Sequence, residues 1–172
     1  IPLLSLGAFI LWLGCFGFNG GSQLALGSPL DALAMSIVYV NTNLAAAGVV
    51  VAIILAQISY GKVDVSIALN RAIGGLVTIT AGPDLQNHLL AIIFGGVGGA
   101  LVLVAVPLID KLKVNDVVEA ISAHLVAGIW GALCVGIFGP GKILTQLIGI
   151  FSIGLFVSIT SEIVWYVLNA TI

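Results

Sequence analysis

The chain has 172 residues, of which 60% are hydrophobic, 7% are charged and 22 are glycine, with a formal net charge of −2. A water-soluble domain carries about 25% Asp, Glu, Lys and Arg, so this composition argues strongly against a soluble enzyme. Five scattered basic residues make no nucleic-acid patch.

The few charges leave long neutral stretches, each near the roughly 20 apolar residues that a helix needs to cross the hydrocarbon core. The pattern predicts an all-α integral membrane protein with six transmembrane helices. The first span covers about 3–26 and ends at Gly27-Ser28-Pro29. Within it, Phe16-Gly17-Phe18-Asn19-Gly20-Gly21-Ser22 admits two readings. Either two core aromatics stand among small packing residues, or an aromatic face and a hydroxyl meet a cation at a pore mouth. The second span, about 30–59, carries Asn41, Thr42 and Asn43 midway, where interhelical hydrogen bonding is expected.

The third span, about 65–81, is shorter and contains Arg71 near its start. The fourth covers about 85–109, with Gly95-Gly96-Val97-Gly98-Gly99 marking close helix packing and His88 in a turn as a solvated side chain. The fifth covers about 115–138. It places His124 nine residues in, roughly 13 Å along the axis and close to the midplane. An ionisable side chain at that depth is a candidate functional group; the alternative is a histidine hydrogen-bonded across a helix interface. The sixth span covers about 143–170, and Glu162, Trp165 and Tyr166 read as an interfacial belt. Gly136-Ile137-Phe138-Gly139-Pro140-Gly141-Lys142 has the spacing of a phosphate-binding loop. It puts Ile143 where Ser or Thr is required and joins two spans, so it is no nucleotide site. Cys15 and Cys134 fall inside spans and read as packing residues, neither disulfide nor metal ligands.

Alternating traversals put Lys62, Arg71, Lys111 and Lys113 on one side and Lys142 on the other. The positive-inside rule makes the first side cytoplasmic, and with it both chain ends. Ile1 stands first and Met35 is the only methionine, so the chain reads as a fragment or a processed product.

Taken in order, these segments resemble the ammonium transporter family of Amt, MEP and Rh proteins. Phe16-Gly17-Phe18-Asn19-Gly20-Gly21-Ser22 is similar to that family's sixth helix, and Val40-Asn41-Thr42 to its seventh. Gly75-Leu76-Val77-Thr78-Ile79-Thr80-Ala81-Gly82 is similar to its eighth. Asn115-Asp116, Ala123-His124 and Gly128-Ile129-Trp130-Gly131 are similar to its tenth. The resemblance implies an eleven-helix fold of two inverted five-helix repeats plus a final helix, assembled as a homotrimer, with this chain supplying helices six to eleven.

It further implies that Phe18 is the inner gate phenylalanine and Ser22 the hydroxyl of the outer recruitment site. His124 is the second histidine of a twin-histidine pore. Asn19, Asn41, Thr42, Asp116 and Glu119 form the supporting polar positions, and Ser22 favours the Amt/MEP branch. The implied cargo is ammonium, ammonia or methylammonium, with no cofactor and no metal, and a PII-class regulator is a known partner of the family's cytoplasmic loops. The family's first five helices are missing, and with them the partner histidine, a second gate phenylalanine, a tryptophan and a buried aspartate. Half of an inverted repeat cannot enclose a pore at the repeat interface, so this chain alone is expected not to conduct. Two rivals stand beside the transporter reading: an ammonium sensor of the same fold, and a non-transporting structural membrane subunit.

Overall fold

A computed structural model describes residues 1–171, which form seven α-helices and one π-helical segment, with no strand among them. The helices are α1 (Pro2–Gly21), α2 (Pro29–Ala45), α3 (Gly48–Tyr60), α4 (Val65–Ile79), α5 (His88–Lys111), α6 (Ala127–Phe138) and α7 (Ile143–Thr171). The π-helical segment, Ile121–Val126, runs directly into α6. Five helical stretches are long and apolar enough to cross a membrane, with α2 and α3 counted as one. The sixth, α4, has 15 residues and rises only about 22 Å.

With α2 and α3 taken as one stretch, and the π-helical segment and α6 as another, successive stretches alternate in direction. The starts of α1, α4 and the π-helical segment gather with the ends of α3 and α5 around two grooves at one end of the bundle. At the opposite end the start of α5 meets the turn that follows α4.

Packing is centred on α4, which buries eight of its residues, Arg71 through Leu76 together with Thr78 and Ile79. Small residues make this possible. A Cβ at Gly75 or at Gly95 would overlap the Ala45 carbonyl oxygen, so α4 and α5 both reach the backbone of α2 at one point. That point is also where the predicted second span breaks. Around Ala45 the ladder tightens to i→i+3 bonds, with Ala46 N–H donating to Asn43, Ala47 N–H to Leu44 and Val49 N–H to Ala46. The run Ala45-Ala46-Ala47 is intrinsically helical; tertiary crowding at the Ala45 carbonyl sets the joint.

The largest boundary differences from expectation fall at two places. α1 stops at Gly21, and Leu24 takes a left-handed φ of 59° in the loop beyond it. α2 then starts from a capping box: Ser28 accepts from Asp31 N–H, Asp31 accepts from Ser28 N–H, and Pro29 occupies the first turn. The fifth span begins at Ile121 instead of 115, because Asp116 turns back and accepts from the Ile121 and Ser122 N–H groups. His124 therefore lies three residues into the helical run, not nine.

Candidate functional site

The polar residues sort into two networks at opposite ends of the bundle. In the first, the Asn19 amide on α1 donates to Thr42 Oγ1 on α2 (2.9 Å), and the Thr42 hydroxyl donates to the Val38 carbonyl (2.7 Å). Both residues are fully buried. Asn19 Oδ1 is buried as well and has no partner among the described residues. One residue from Thr42, the Asn41 amide donates to the Pro83 and Leu85 carbonyls at 2.9 and 2.7 Å. With both amide protons engaged, Asn41 Oδ1 is the acceptor for His88 Nδ1, 2.7 Å away. That assignment puts a proton on His88 Nδ1.

His88 is thus not merely a solvated turn residue, since it ties the start of α5 to α2. Asn41 and Thr42 make the interhelical bonds anticipated from their position, whereas Asn43 points outward. Asn43 therefore lies outside the network.

Phe18 and Ser22 stand on the open side of α1. Phe18 is 67% exposed, while Phe16 is half-buried and meets Tyr39 edge-on, with ring centroids 5.7 Å apart. The core-aromatic reading therefore describes Phe16 and not Phe18. Ser22 is the C-terminal cap of α1, and its hydroxyl donates to the Phe18 carbonyl (3.0 Å). A hydroxyl whose proton is so engaged presents its lone pairs outward, the polarity that a cation recognises.

The second network surrounds the start of the π-helical segment. Asp116 caps Ile121 and Ser122, and Ser122 is fully buried. Glu119 accepts from Arg71 in an ion pair and from the Asn70 amide at 3.1 Å, both on α4. The pair was not apparent in the sequence, because the partners lie 48 positions apart. By sequence Arg71 is one of four basic residues on the side expected to be cytoplasmic. It is turned inward and only 2% exposed, so the loop bias rests on Lys62, Lys111 and Lys113 against Lys142.

His124 occupies a π turn, a winding often found at functional positions. Its residue is exposed, and it borders two grooves. One, of about 260 Å³, lies against α1 and is lined by Leu4, Gly7, Leu11, Asn70 and Ile73. The other, of about 620 Å³, is mostly apolar and lies between His124, Gly128 and Ile129 on one side and Gln146, Ile150 and Gly154 of α7 on the other. An imidazole at the meeting of two apolar clefts is available to accept or hand on a proton without competing carboxylates on the same turn. Phe18, Ser22 and His124 do not touch one another; Phe18 and Ser22 belong to the far end of α1, and His124 faces the part of α1 near its start.

No group of three or more His, Cys, Asp or Glu able to hold a metal ion occurs among the described residues. The loop with phosphate-binding spacing joins α6 to α7, helix to helix. Cys15 packs beside Trp12 in the α1–α4 cluster, and Cys134 is buried beside Trp130 in another. Trp130 also donates its indole N–H to the Phe94 carbonyl (3.2 Å).

Residues 1–172 match the sequence model of the Ammonium Transporter Family. The chain is 39% identical over 138 residues to Ammonium transporter Amt2 of Archaeoglobus fulgidus, covering 80% of this chain and 29% of that protein. Among solved structures it is similar to one described as Sensor Amt Protein, at 34% identity and a TM-score of 0.77, covering 91% of this chain and 40% of the other. It is also similar to Mep2 of Saccharomyces cerevisiae, at 26% identity and a TM-score of 0.84, covering 96% and 42%. The chain spans about two-fifths or less of the length of these proteins.

Proposed function

The chain belongs to the ammonium transporter family, and from that premise we propose that it supplies one half of a transmembrane pathway for ammonium or ammonia. It is a multi-pass membrane protein with five long apolar stretches. In this reading Ser22 and neighbouring aromatic rings receive the cation through hydrogen-bond and cation–π terms. Phe18 closes the path to hydrated ions, and His124 lines the dry stretch beyond. The physical reason for a histidine there is the cost of taking a cation out of water. Ammonium sheds its proton, neutral ammonia crosses the apolar interior, and the imidazole carries the proton.

The observation that carries the reading is the position of His124, open to two apolar grooves in a chain that matches the family throughout. Asn19, Asn41, Thr42, Asp116 and Glu119 hold the helices that present it. The pathway closes only when the remaining family helices cover α1 and the π-helical segment, so this chain in proteoliposomes is expected to pass no methylammonium. In the same reading the complete protein is a trimer, both ends of this chain are cytoplasmic, and a PII-class protein regulates it from that side.

The test is methylammonium uptake by the full-length protein carrying His124→Ala. Uptake and the accompanying charge movement are expected to change together; identical rate and charge transfer to the parent protein would remove His124 from the pathway. A sensor is the second reading, favoured by the similarity to the Sensor Amt Protein. It is supported instead if the full-length protein binds methylammonium without sustained uptake.

A further inference from the structure

The π-helical segment that carries His124 leaves a loop whose last turn is unusual. Glu119 adopts a left-handed φ of 57°, a conformation that costs a non-glycine residue of order 1 kcal/mol. Leu24 and Lys113 adopt it too, in exposed loops, and Glu119 is set apart by the side-chain contacts that hold it. Here the contacts are explicit. The Glu119 carboxylate is held from α4 by Arg71 and by the Asn70 amide, while its backbone carbonyl accepts from Ala123 N–H at 2.8 Å, immediately before His124. Asn70 belongs to the wall of the same groove that His124 borders. Arg71 is nearly inaccessible and pairs with no other acidic residue among those described. A buried guanidinium placed there for stability alone is a poor device, since well-packed apolar residues do as well or better.

We propose that Arg71, acting through Glu119, is a positioning residue for His124. The ion pair holds the left-handed turn at Glu119 in place, and that turn sets the start of the π winding, hence the direction in which the imidazole points. The inference rests on the pathway reading of His124, and it predicts a dissociation between folding and ring placement. Glycine adopts a φ of 57° and other conformations with comparable ease, so Glu119→Gly removes the clamp without adding strain and leaves the turn free to depart from the left-handed one. Glu119→Gln keeps an oxygen that accepts from both Arg71 and Asn70.

The experiment uses the full-length protein labelled with ¹⁵N-histidine in detergent or nanodiscs, with the His124 ring signals identified by their loss in His124→Gln. In Glu119→Gly the protein stays folded and monodisperse, the His124 ring signals shift or broaden, and methylammonium uptake falls roughly tenfold or more, the scale of a misplaced reacting group. Glu119→Gln recovers most of both readouts. Should Glu119→Gly fail to fold, Arg71→Gln is read in the same way against Glu119→Gln. His124 ring signals identical to the parent in the clamp-free variant overturn the inference, whatever the uptake. Shifted ring signals with unchanged uptake uphold the positioning and count instead against His124 as a pathway residue.

Discussion

The helices around α4 and the terminal helix α7 are both built from apolar residues, yet they are held in opposite ways. Eight of the 15 residues of α4 are buried, and backbones from α2, α4 and α5 meet at the Ala45 carbonyl without a side chain between them. None of the 29 residues of α7 is buried among those described. Two of its three threonines, Thr160 and Thr171, bond to carbonyls of their own helix. Hydropathy alone does not separate the two. In a bilayer, lipid is as apolar as leucine, so association comes from close packing and polar bonds. The α4 region has both, and α7 meets only the groove beside α6.

The contrast can be broken most forcefully at Gly95. Gly95→Val puts a branched side chain where even a Cβ would overlap the Ala45 carbonyl, and rigid backbone cannot yield as a side-chain tip does. The expected loss is about 3 kcal/mol or more, seen as failure to recover monodisperse protein in detergent. Asn41→Leu is expected to act next. It strands the Pro83 and Leu85 carbonyls and the His88 ring, at about 1–2 kcal/mol, whereas Asn43→Leu leaves thermal stability unchanged.

Asp64 offers a milder, pH-dependent test outside the spans. It caps α4 by accepting from Ser66 N–H at 2.7 Å. That backbone bond first, then the Ser66 hydroxyl and the nearby Lys62 charge, hold its carboxyl below the usual carboxylate range. A carboxyl depressed on folding stabilises fully above its unfolded value, near pH 3.9, and loses that contribution as pH falls through the folded value. Asp64→Asn is expected to lower the melting temperature slightly at neutral pH, where the charge contributes fully, and to converge with the parent as pH falls through the folded value, which flattens the acid limb. The smallest effect is expected at Gly154 on α7, where nothing lies within 4 Å of an added Cβ. Gly154→Ala should cost no stability, since alanine is the better helix former by up to about 1 kcal/mol; a loss would show that α7 is packed as tightly as α4.

The same contrast explains what could be read from the sequence. Each predicted span contains a helix, because long apolar runs leave a membrane segment few alternatives. The ends were missed where the apolar run continues through non-helical chain, as at Leu24 to Leu26 and at Val117 and Val118. The glycine cluster at 95–99 is legible as a packing surface, but its effect falls on another helix, at Ala45 and Gly48, and three alanines give no hint of the joint beside them. Asn41 and Thr42 announced themselves as polar groups at depth. Their partners did not, because backbone carbonyls at Pro83 and Leu85 carry no signature of their own. Glu119 was singled out through resemblance to the family, while Arg71, its partner, looked like a flanking positive charge. Spacing along one chain does not reveal a pair closed by tertiary structure.

A π turn uses one more residue per hydrogen-bonded ring than an α turn. Deleting a single residue after His124, at Leu125 or Val126, would therefore let the segment wind as ordinary α-helix with α6 left intact. His124 would then swing by about 100° around the helix axis and leave the grooves it now borders. The histidine keeps its address through one supernumerary residue, so a shift of one in the chain, with no change of composition worth noticing, is enough to erase it.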